Sequence, residues 1–171
     1  QDFTNLPPVK VAILLPLSGP QASTGEALLQ AAQLAVFDIG YTNFELMPRD
    51  TKGTTSGAAQ AANSALQDGA QLILGPLFAN SVRAVKSVAK PRGINVIAFS
   101  TDWTLADSST YLMGFMPTTQ VERVTQYAIQ NGYKNFALIA PKDAYGNLVS
   151  ERFTQTAQSK GASIKHDLRY S

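Results

Sequence analysis

Two continuous apolar runs constrain the fold of this chain more than any other feature. Residues 10–17 read K-V-A-I-L-L-P-L, and residues 135–140 read N-F-A-L-I-A. Each run is too short for a typical helix and lacks polar alternation, as expected of a strand that is buried on both faces. Strands of this kind belong to parallel sheets whose two faces are covered by helices. The sequence therefore predicts an α/β protein.

Segments with helical character separate the predicted strands. Residues 25–37 are rich in Ala, Leu, Gln and Glu and contain no proline. Further helices are predicted at 54–67, 81–89, 120–131 and 147–160, and further strands at 44–48, 71–74, 95–99, 111–115 and 163–170. Each helix carries one apolar stripe, which in 120–131 consists of Val121, Val124 and Ala128. The repeated order of strand and helix favours parallel, doubly wound sheets with right-handed crossovers.

A break in this order divides the chain. Residues 116–119 read M-P-T-T and interrupt the pattern before the helix at 120–131. We place a hinge there between two lobes, residues 1–117 and residues 118–171, each with its own parallel sheet.

Composition and motifs exclude several classes of protein. Hydrophobic residues make up 44% of the chain, which is ample for a core. A net charge of +2 without a basic run argues against nucleic acid as a partner. The apolar runs are far shorter than the ~20 residues that cross a bilayer, so no transmembrane segment is predicted.

Catalysis and cofactor binding also have little support in the sequence. The chain has no cysteine, and its one histidine, His166, lies in a predicted strand with no second ligand nearby. No G-x-S-x-G, G-x-x-x-x-G-K or G-x-G-x-x-G motif is present at the positions that would support hydrolysis, phosphate binding or dinucleotide binding. The sequence therefore predicts a protein that is not an enzyme and holds no cofactor or metal.

Polar residues that follow the predicted strands are the candidates for binding a ligand. Ligands of parallel sheets bind outside the carboxyl ends of the strands. Ser18 follows the first strand, Asn80 the third, and Ser100, Thr101 and Asp102 the fourth. These hydroxyl, amide and carboxylate groups suit a small polar ligand. The same residue types also close turns and cap helices, and both interpretations remain open, including an N-cap role for Asn80 or its neighbour.

One aromatic residue of the second lobe is a further candidate. Tyr145 precedes a glycine after the apolar run at 135–140, where its ring either stacks on a ligand or covers a loop. We predict that Ser18, Ser100, Thr101, Asp102 and Tyr145 converge on one cleft.

Several motifs in their joint order resemble a known family. They are V-A-I-L-L-P-L-S-G, D-G-A-Q-L-I-L-G-P-L, G-F-M-P and L-I-A-P-K-D-A-Y-G. Together they resemble the type I periplasmic-binding fold of branched-chain amino-acid-binding proteins, over residues 9–170. Within that fold, L-L-P-L-S-G, R-D-T, G-P-L and L-R-Y-S are most similar to YraM/LppC-type outer-membrane lipoproteins, which activate penicillin-binding proteins. The resemblance implies a periplasmic location, with a lipid anchor supplied by an upstream segment.

The resemblance also implies which residues meet the ligand. In amino-acid-binding relatives, the loops after the third and fourth strands hold the ligand's carboxylate and ammonium groups. The matching positions here are Ala79, then Ser100, Thr101 and Asp102, with Tyr145 in the second lobe. Ala79 lacks the usual hydroxyl, and Asp102 replaces a threonine. Its carboxylate would repel a ligand carboxylate unless it turns toward an ammonium or amide group.

Two binding functions remain open at this stage, beside a third hypothesis of a hydrolase or transferase that uses Ser18 or Asp102. One is a non-catalytic envelope protein that binds a cell-wall peptide or an envelope protein such as a penicillin-binding protein. The other is the solute-binding component of an ABC transporter for amino acids or similar small polar solutes.

The length of the chain leads to a further expectation. In the resembled family the backbone crosses between the lobes three times and runs to about twice this length, whereas one crossing is found here. We therefore expect a truncated copy of the fold, with exposed apolar surface and open strand edges where the remaining half of each lobe would pack.

Overall fold

The computed structural model describes residues 7–40, 43–114 and 116–170. The chain forms two compact units, Gln1–Gly114 (unit 1) and Phe115–Ser171 (unit 2). The division predicted after Pro117 falls in the first turn of the helix that begins at that residue. Both units have parallel strands flanked by helices, so the predicted α/β architecture is confirmed.

Unit 1 is built on a five-stranded parallel sheet with the strand order β2-β1-β3-β4-β5. The strands are β1 (Val9–Leu15), β2 (Phe44–Asp50), β3 (Leu72–Leu74), β4 (Asn95–Ala98) and β5 (Thr110–Leu112). The predicted strand at 111–115 is therefore shorter, and its last residue lies outside the described residues. Because β1 lies between β2 and β3, the strand order reverses beside it, and a crevice opens there at the carboxyl ends of the strands.

Three helices flank this sheet, α1 (Ala22–Ile39), α2 (Thr55–Gln67) and α3 (Ala79–Ala89). The helices α2 and α3 pack side by side on one face and bury the apolar stripes that the sequence predicts. The buried stripe residues are Ala58, Ala61, Ala62 and Ala65 of α2, and Val82, Val85 and Ala89 of α3. Small side chains let α2 approach the sheet closely, and its alanines form the core together with Leu14 and Ile73.

A glycine sets the position of α1 at the carboxyl end of β1. A Cβ atom added to Gly25 would lie 2.0 Å from the carbonyl oxygen of Pro16. No larger residue fits this contact without a backbone shift. The first turn of α1 is therefore held directly against the end of β1.

The opposite face of the sheet in unit 1 is only partly covered by described residues. Between α1 and the sheet lies a groove of about 360 Å³ whose lining includes Ile13, Leu74 and Met113. On α1 itself, Leu34 is 61% exposed and Phe37 is 82% exposed. Apolar surface of this kind agrees with the expectation drawn from the length of the chain.

Unit 2 contains α4 (Pro117–Gln130), β6 (Asn135–Pro141), α5 (Ala144–Ser159) and β7 (Ser163–Tyr170). The strands β6 and β7 pair in parallel, and the pairing register shifts once, after Phe136. The ring of Phe136 meets that of Phe153 edge to face at 5.6 Å, which fixes α5 on the sheet. The Asp143 carboxylate accepts a hydrogen bond from the Gly146 N–H at 2.7 Å, so α5 begins three residues before the predicted start at 147.

The predicted buried stripe of α4 is wrong at Val124, and its other members, Val121 and Ala128, are only half-buried. Val124 is 69% exposed, whereas Thr125 is buried and its hydroxyl donates to the Val121 carbonyl at 2.7 Å. The reason is that α4 packs on α5 and not on the strands. A threonine tolerates this burial because the helix backbone satisfies its hydroxyl.

Candidate ligand- or partner-binding site

The loops at the carboxyl ends of β1 and β2 are joined through Asp50. Its Oδ1 atom accepts hydrogen bonds from the backbone N–H groups of Leu17 at 2.9 Å and Lys52 at 2.7 Å. Its Oδ2 atom accepts from the Ser18 hydroxyl at 2.6 Å, and the Ser18 N–H is 3.2 Å from Oδ1. The candidate Ser18 is therefore exposed, but its hydroxyl is bound to a neighbouring loop. Sequence reasoning missed this contact, because Ser18 and Asp50 lie 32 residues apart.

The hydrogen bonds keep the Asp50 carboxylate charged. Partial burial raises the pKa of this group, but the Ser18 hydroxyl and the N–H groups of Lys52, Leu17 and Ser18 together lower the pKa below its ordinary value. A carboxylate with a lowered pKa stabilises the fold above its unfolded pKa, and that contribution disappears as the pH falls through the folded pKa.

Replacing Asp50 by asparagine is expected to lower the free energy of unfolding by about 1 kcal/mol at pH 7, a value that allows for solvent screening at this site. The difference from the parent chain should shrink as the pH falls below about 4, because the parent carboxylate then becomes protonated. Urea unfolding at pH 7 and pH 3 measures both values. Glu45→Gln, at an exposed position of β2, serves as the control, and a difference that is the same at both pH values would contradict this account.

The loop after β4 contains the three candidates Ser100, Thr101 and Asp102. Ser100 is 5% exposed, and its hydroxyl oxygen accepts a hydrogen bond from the Asp102 N–H at 3.1 Å. The Asp102 carboxylate caps a short 3₁₀ turn (Trp103–Leu105) by accepting from the N–H and the hydroxyl of Thr104 at 3.2 and 2.5 Å. Thr101 is the exposed member of the three.

An arginine of α3 links two of the candidates. The Arg83 guanidinium donates through Nη1 to Oδ1 of Asn80 and through Nη2 to Oδ2 of Asp102, each at 3.0 Å. Asn80 is not an N-cap, since α3 begins at Ala79 after Phe78 and has no side-chain cap at that end. No local pattern in the sequence indicates the contact of Arg83 with Asp102, which lies 19 residues away.

The charge of Asp102 complements this arginine. The Thr104 hydroxyl, against the smaller effect of burial and together with the Thr104 N–H and Arg83, lowers the pKa of Asp102. Side-chain exposures of 53% for Arg83 and 31% for Asp102 make this a surface ion pair, with a small effect on stability. The pair matters for ligand binding instead, because the Asp102 carboxylate and the Arg83 guanidinium are directed to each other.

A second ion-pair group holds the same loop to α3. Oδ2 of Asp107 lies 3.2 Å from the Nζ atoms of both Lys86 and Lys90. The Ser109 N–H, against a smaller effect of burial, and these two lysines lower the pKa of Asp107 well below its ordinary value. The outer face of α3 and the loop after β4 therefore form one cross-linked polar surface.

Tyr145 belongs to unit 2, where it lies in the first turn of α5 and is 55% exposed. Its ring lines a groove beside α4 and β6. Its convergence with the four candidates of unit 1 stays a prediction. Across residues 7–40, 43–114 and 116–170, no group of three acidic or histidine residues is arranged to hold a metal ion, and no helix has the length and hydropathy to span a membrane.

The sequence of the chain matches a family model, described as periplasmic binding protein, over residues 8–171. The chain belongs to this periplasmic binding protein family. Its fold agrees, because an ABC transporter substrate-binding protein from Sphaerobacter thermophilus superimposes with a TM-score of 0.80 at 23% identity. That alignment covers 95% of this chain and 47% of the other.

The chain is similar to relatives that have two different roles. A penicillin-binding protein activator, LpoA of Photobacterium profundum, is 29% identical over 86% of this chain and 24% of its own length. A Leu/Ile/Val-binding protein, BraC3 of Rhizobium johnstonii, is 25% identical over 90% of this chain and 45% of its own length. The chain spans less than half of the relatives it matches. Membership in the family implies a location in the periplasm or cell envelope.

Proposed function

We propose that this chain is the binding part of a non-catalytic envelope protein of the YraM/LppC type, which supports peptidoglycan synthesis by binding a penicillin-binding protein or a cell-wall peptide. The similarity to LpoA supports this proposal at the level of sequence. The observation that carries it is the pairing of polar groups at the carboxyl ends of the strands. Asp102 binds Arg83, and Ser18 binds Asp50.

This pairing favours a docking surface over a solute pocket. A pocket for an amino acid needs hydroxyl and N–H groups that are directed at the ligand. Here the Ser100 hydroxyl oxygen accepts from its own loop, and position 79 is an alanine. The Asp102–Arg83 pair instead lies at the surface, with the Asp102 and Arg83 side chains 31% and 53% exposed, where a protein or peptide can contact it without entering a pocket.

The second candidate is the solute-binding component of an ABC transporter for amino acids or similar small polar solutes. The similarity to BraC3 supports it. Asp102 and Ala79 count against an α-amino acid, for the reasons given above. We propose the location to be periplasmic, with anchoring to the outer membrane through a lipid on an upstream segment, as the resemblance to YraM/LppC-type lipoproteins implies.

Binding to penicillin-binding proteins tests the first candidate. With the chain immobilised, the purified penicillin-binding proteins of the source organism are expected to bind with a Kd in the micromolar range or tighter. Thr101→Arg, at an exposed position of the loop after β4, should weaken binding by about tenfold or more, as truncation or obstruction at a binding hot spot does.

The matched control is Gln60→Arg, which adds the same side chain to an exposed position of α2. It should leave binding within about twofold of the parent chain. The proposal is wrong if neither penicillin-binding proteins nor peptidoglycan peptides bind, or if the two variants weaken binding equally.

A further inference from the structure

An exposed tryptophan adjoins the candidate site. Trp103, the one tryptophan of the chain, directly follows Asp102 in the loop after β4 and is 59% exposed. Because this loop lies at the carboxyl end of β4, Trp103 lies at the end of the sheet where proteins of this architecture bind their ligands, and not at an open strand edge. Its indole ring offers a large apolar body and one N–H donor. Trp103 is therefore placed to contact whatever binds at this end of unit 1.

The turn that carries Trp103 is fixed at both ends. On one side, the Asp102 carboxylate is held by the Arg83 guanidinium. On the other side, Leu105 is 4% exposed within the core of unit 1, and its carbonyl accepts a hydrogen bond from the Lys86 ammonium group. A side chain on a braced turn costs little ordering entropy when a partner covers it. The position therefore suits the anchor of a binding surface.

The surface beside this turn carries an excess of positive charge. On the outer face of α3, Lys86 and Lys90 share one carboxylate oxygen of Asp107. Arg83 and Asp102 neutralise each other. Among the described residues of this surface, three cations therefore face two carboxylates, and the Lys90 side chain is 59% exposed. Electrostatic complementarity favours a partner with a carboxylate at its contact surface.

Given the function proposed above, on which this inference rests, we propose that Trp103 anchors the docking of a protein partner that presents an apolar pocket next to a carboxylate. Tryptophan is enriched among the few residues that dominate binding at protein interfaces, where its ring fills a pocket of the partner and charged groups form the rim. Trp103 fills that pocket, and Lys90 meets the carboxylate. A short cell-wall peptide cannot enclose an indole ring, so the occupant is a protein.

Hydroxyl-radical footprinting with mass spectrometry tests the anchor on the unaltered chain. Oxidation of Trp103 is measured alone and at saturation with each purified penicillin-binding protein that binds. It should slow at least about fivefold in the complex, because the partner buries the ring. Tyr133, which is 66% exposed in unit 2, is the control within the same sample and should change by less than about twofold.

The outcomes separate this role of Trp103 from the proposed function. If a penicillin-binding protein binds while Trp103 is oxidised as fast as in the free chain, docking stands and the anchor is wrong. If leucine or peptidoglycan peptides protect Trp103 and no protein does, the ring lines a solute site and the proposal is overturned. If nothing binds, the proposed function fails and the anchor fails with it.

Variants give the size of the effect. Trp103→Ala should weaken binding of the penicillin-binding protein at least about thirtyfold, whereas Trp103→Phe keeps a ring and should stay within about fivefold of the parent. Tyr133→Ala, which removes a ring of similar exposure, should stay within about twofold. Lys90→Gln should reduce the salt dependence of association. Equal losses for Trp103→Ala and Tyr133→Ala, in variants whose circular dichroism matches the parent, would overturn the proposal.

Discussion

Replacing Leu14 by alanine is expected to lower the free energy of unfolding of unit 1 by about 3 kcal/mol. Leu14 lies in β1, an interior strand of the sheet, is 0% exposed and belongs to the core between the sheet and the α2–α3 layer. Shortening its side chain removes apolar contacts and leaves a cavity between a sheet and helices that cannot collapse easily. The loss can be measured by urea unfolding followed by circular dichroism.

The matched control is Leu34→Ala on α1. Leu34 is 61% exposed, so the same chemical change should cost less than about 1 kcal/mol. If a covering segment buries α1 in a longer chain, the cost of Leu34→Ala rises there while that of Leu14→Ala stays the same. Equal costs for the two variants in the 171-residue chain would contradict the assignment of the core to the α2–α3 side.

The sheet and most helices were predictable because their signals are local. The apolar run that contains β1 has no polar residue after Lys10, and the alanines of α2 recur at helical spacing. Helix starts were less predictable where no capping side chain marks them. The helix α3 begins after Phe78 without a side-chain cap, and residue type alone could not decide between an N-cap role and a binding role for Asn80.

The position of the candidate site was predictable, but its internal pairing was not. Ser18, Asn80 and Asp102 follow strand ends, as the sequence indicates. The partners Asp50 and Arg83 lie 32 and 19 residues from the side chains they bind. Such contacts depend on the strand order, since β2 lies beside β1 with Asp50 paired to Leu15. The local sequence carries no signal for that order.

The second large effect that we expect concerns the affinity of the chain for amino acids. The Kd of the chain for leucine, isoleucine or valine should exceed about 1 mM. Binding would then be at least a thousandfold weaker than at a micromolar site. The carboxylate of such a ligand would meet the Asp102 carboxylate, while Arg83, the cation beside it, is bound to Asp102 and Asn80. A ligand carboxylate that took Arg83 from either contact would leave the Asp102 carboxylate or the Asn80 amide without its partner.

A double variant provides the positive control for this prediction. Ala79→Ser combined with Asp102→Thr supplies the hydroxyl groups that the resemblance to amino-acid-binding proteins assigns to these positions, and it removes the repelling charge. Any affinity for branched-chain amino acids should therefore be higher in the double variant than in the parent chain.

Calorimetric titration of leucine into the parent chain tests the central claim most directly, namely that the polar groups at the carboxyl ends of the strands bind one another instead of a solute. The expected result is no binding heat up to millimolar leucine. Saturable binding with a Kd in the micromolar range or below would contradict the claim and would identify the chain as a solute-binding component of a transporter.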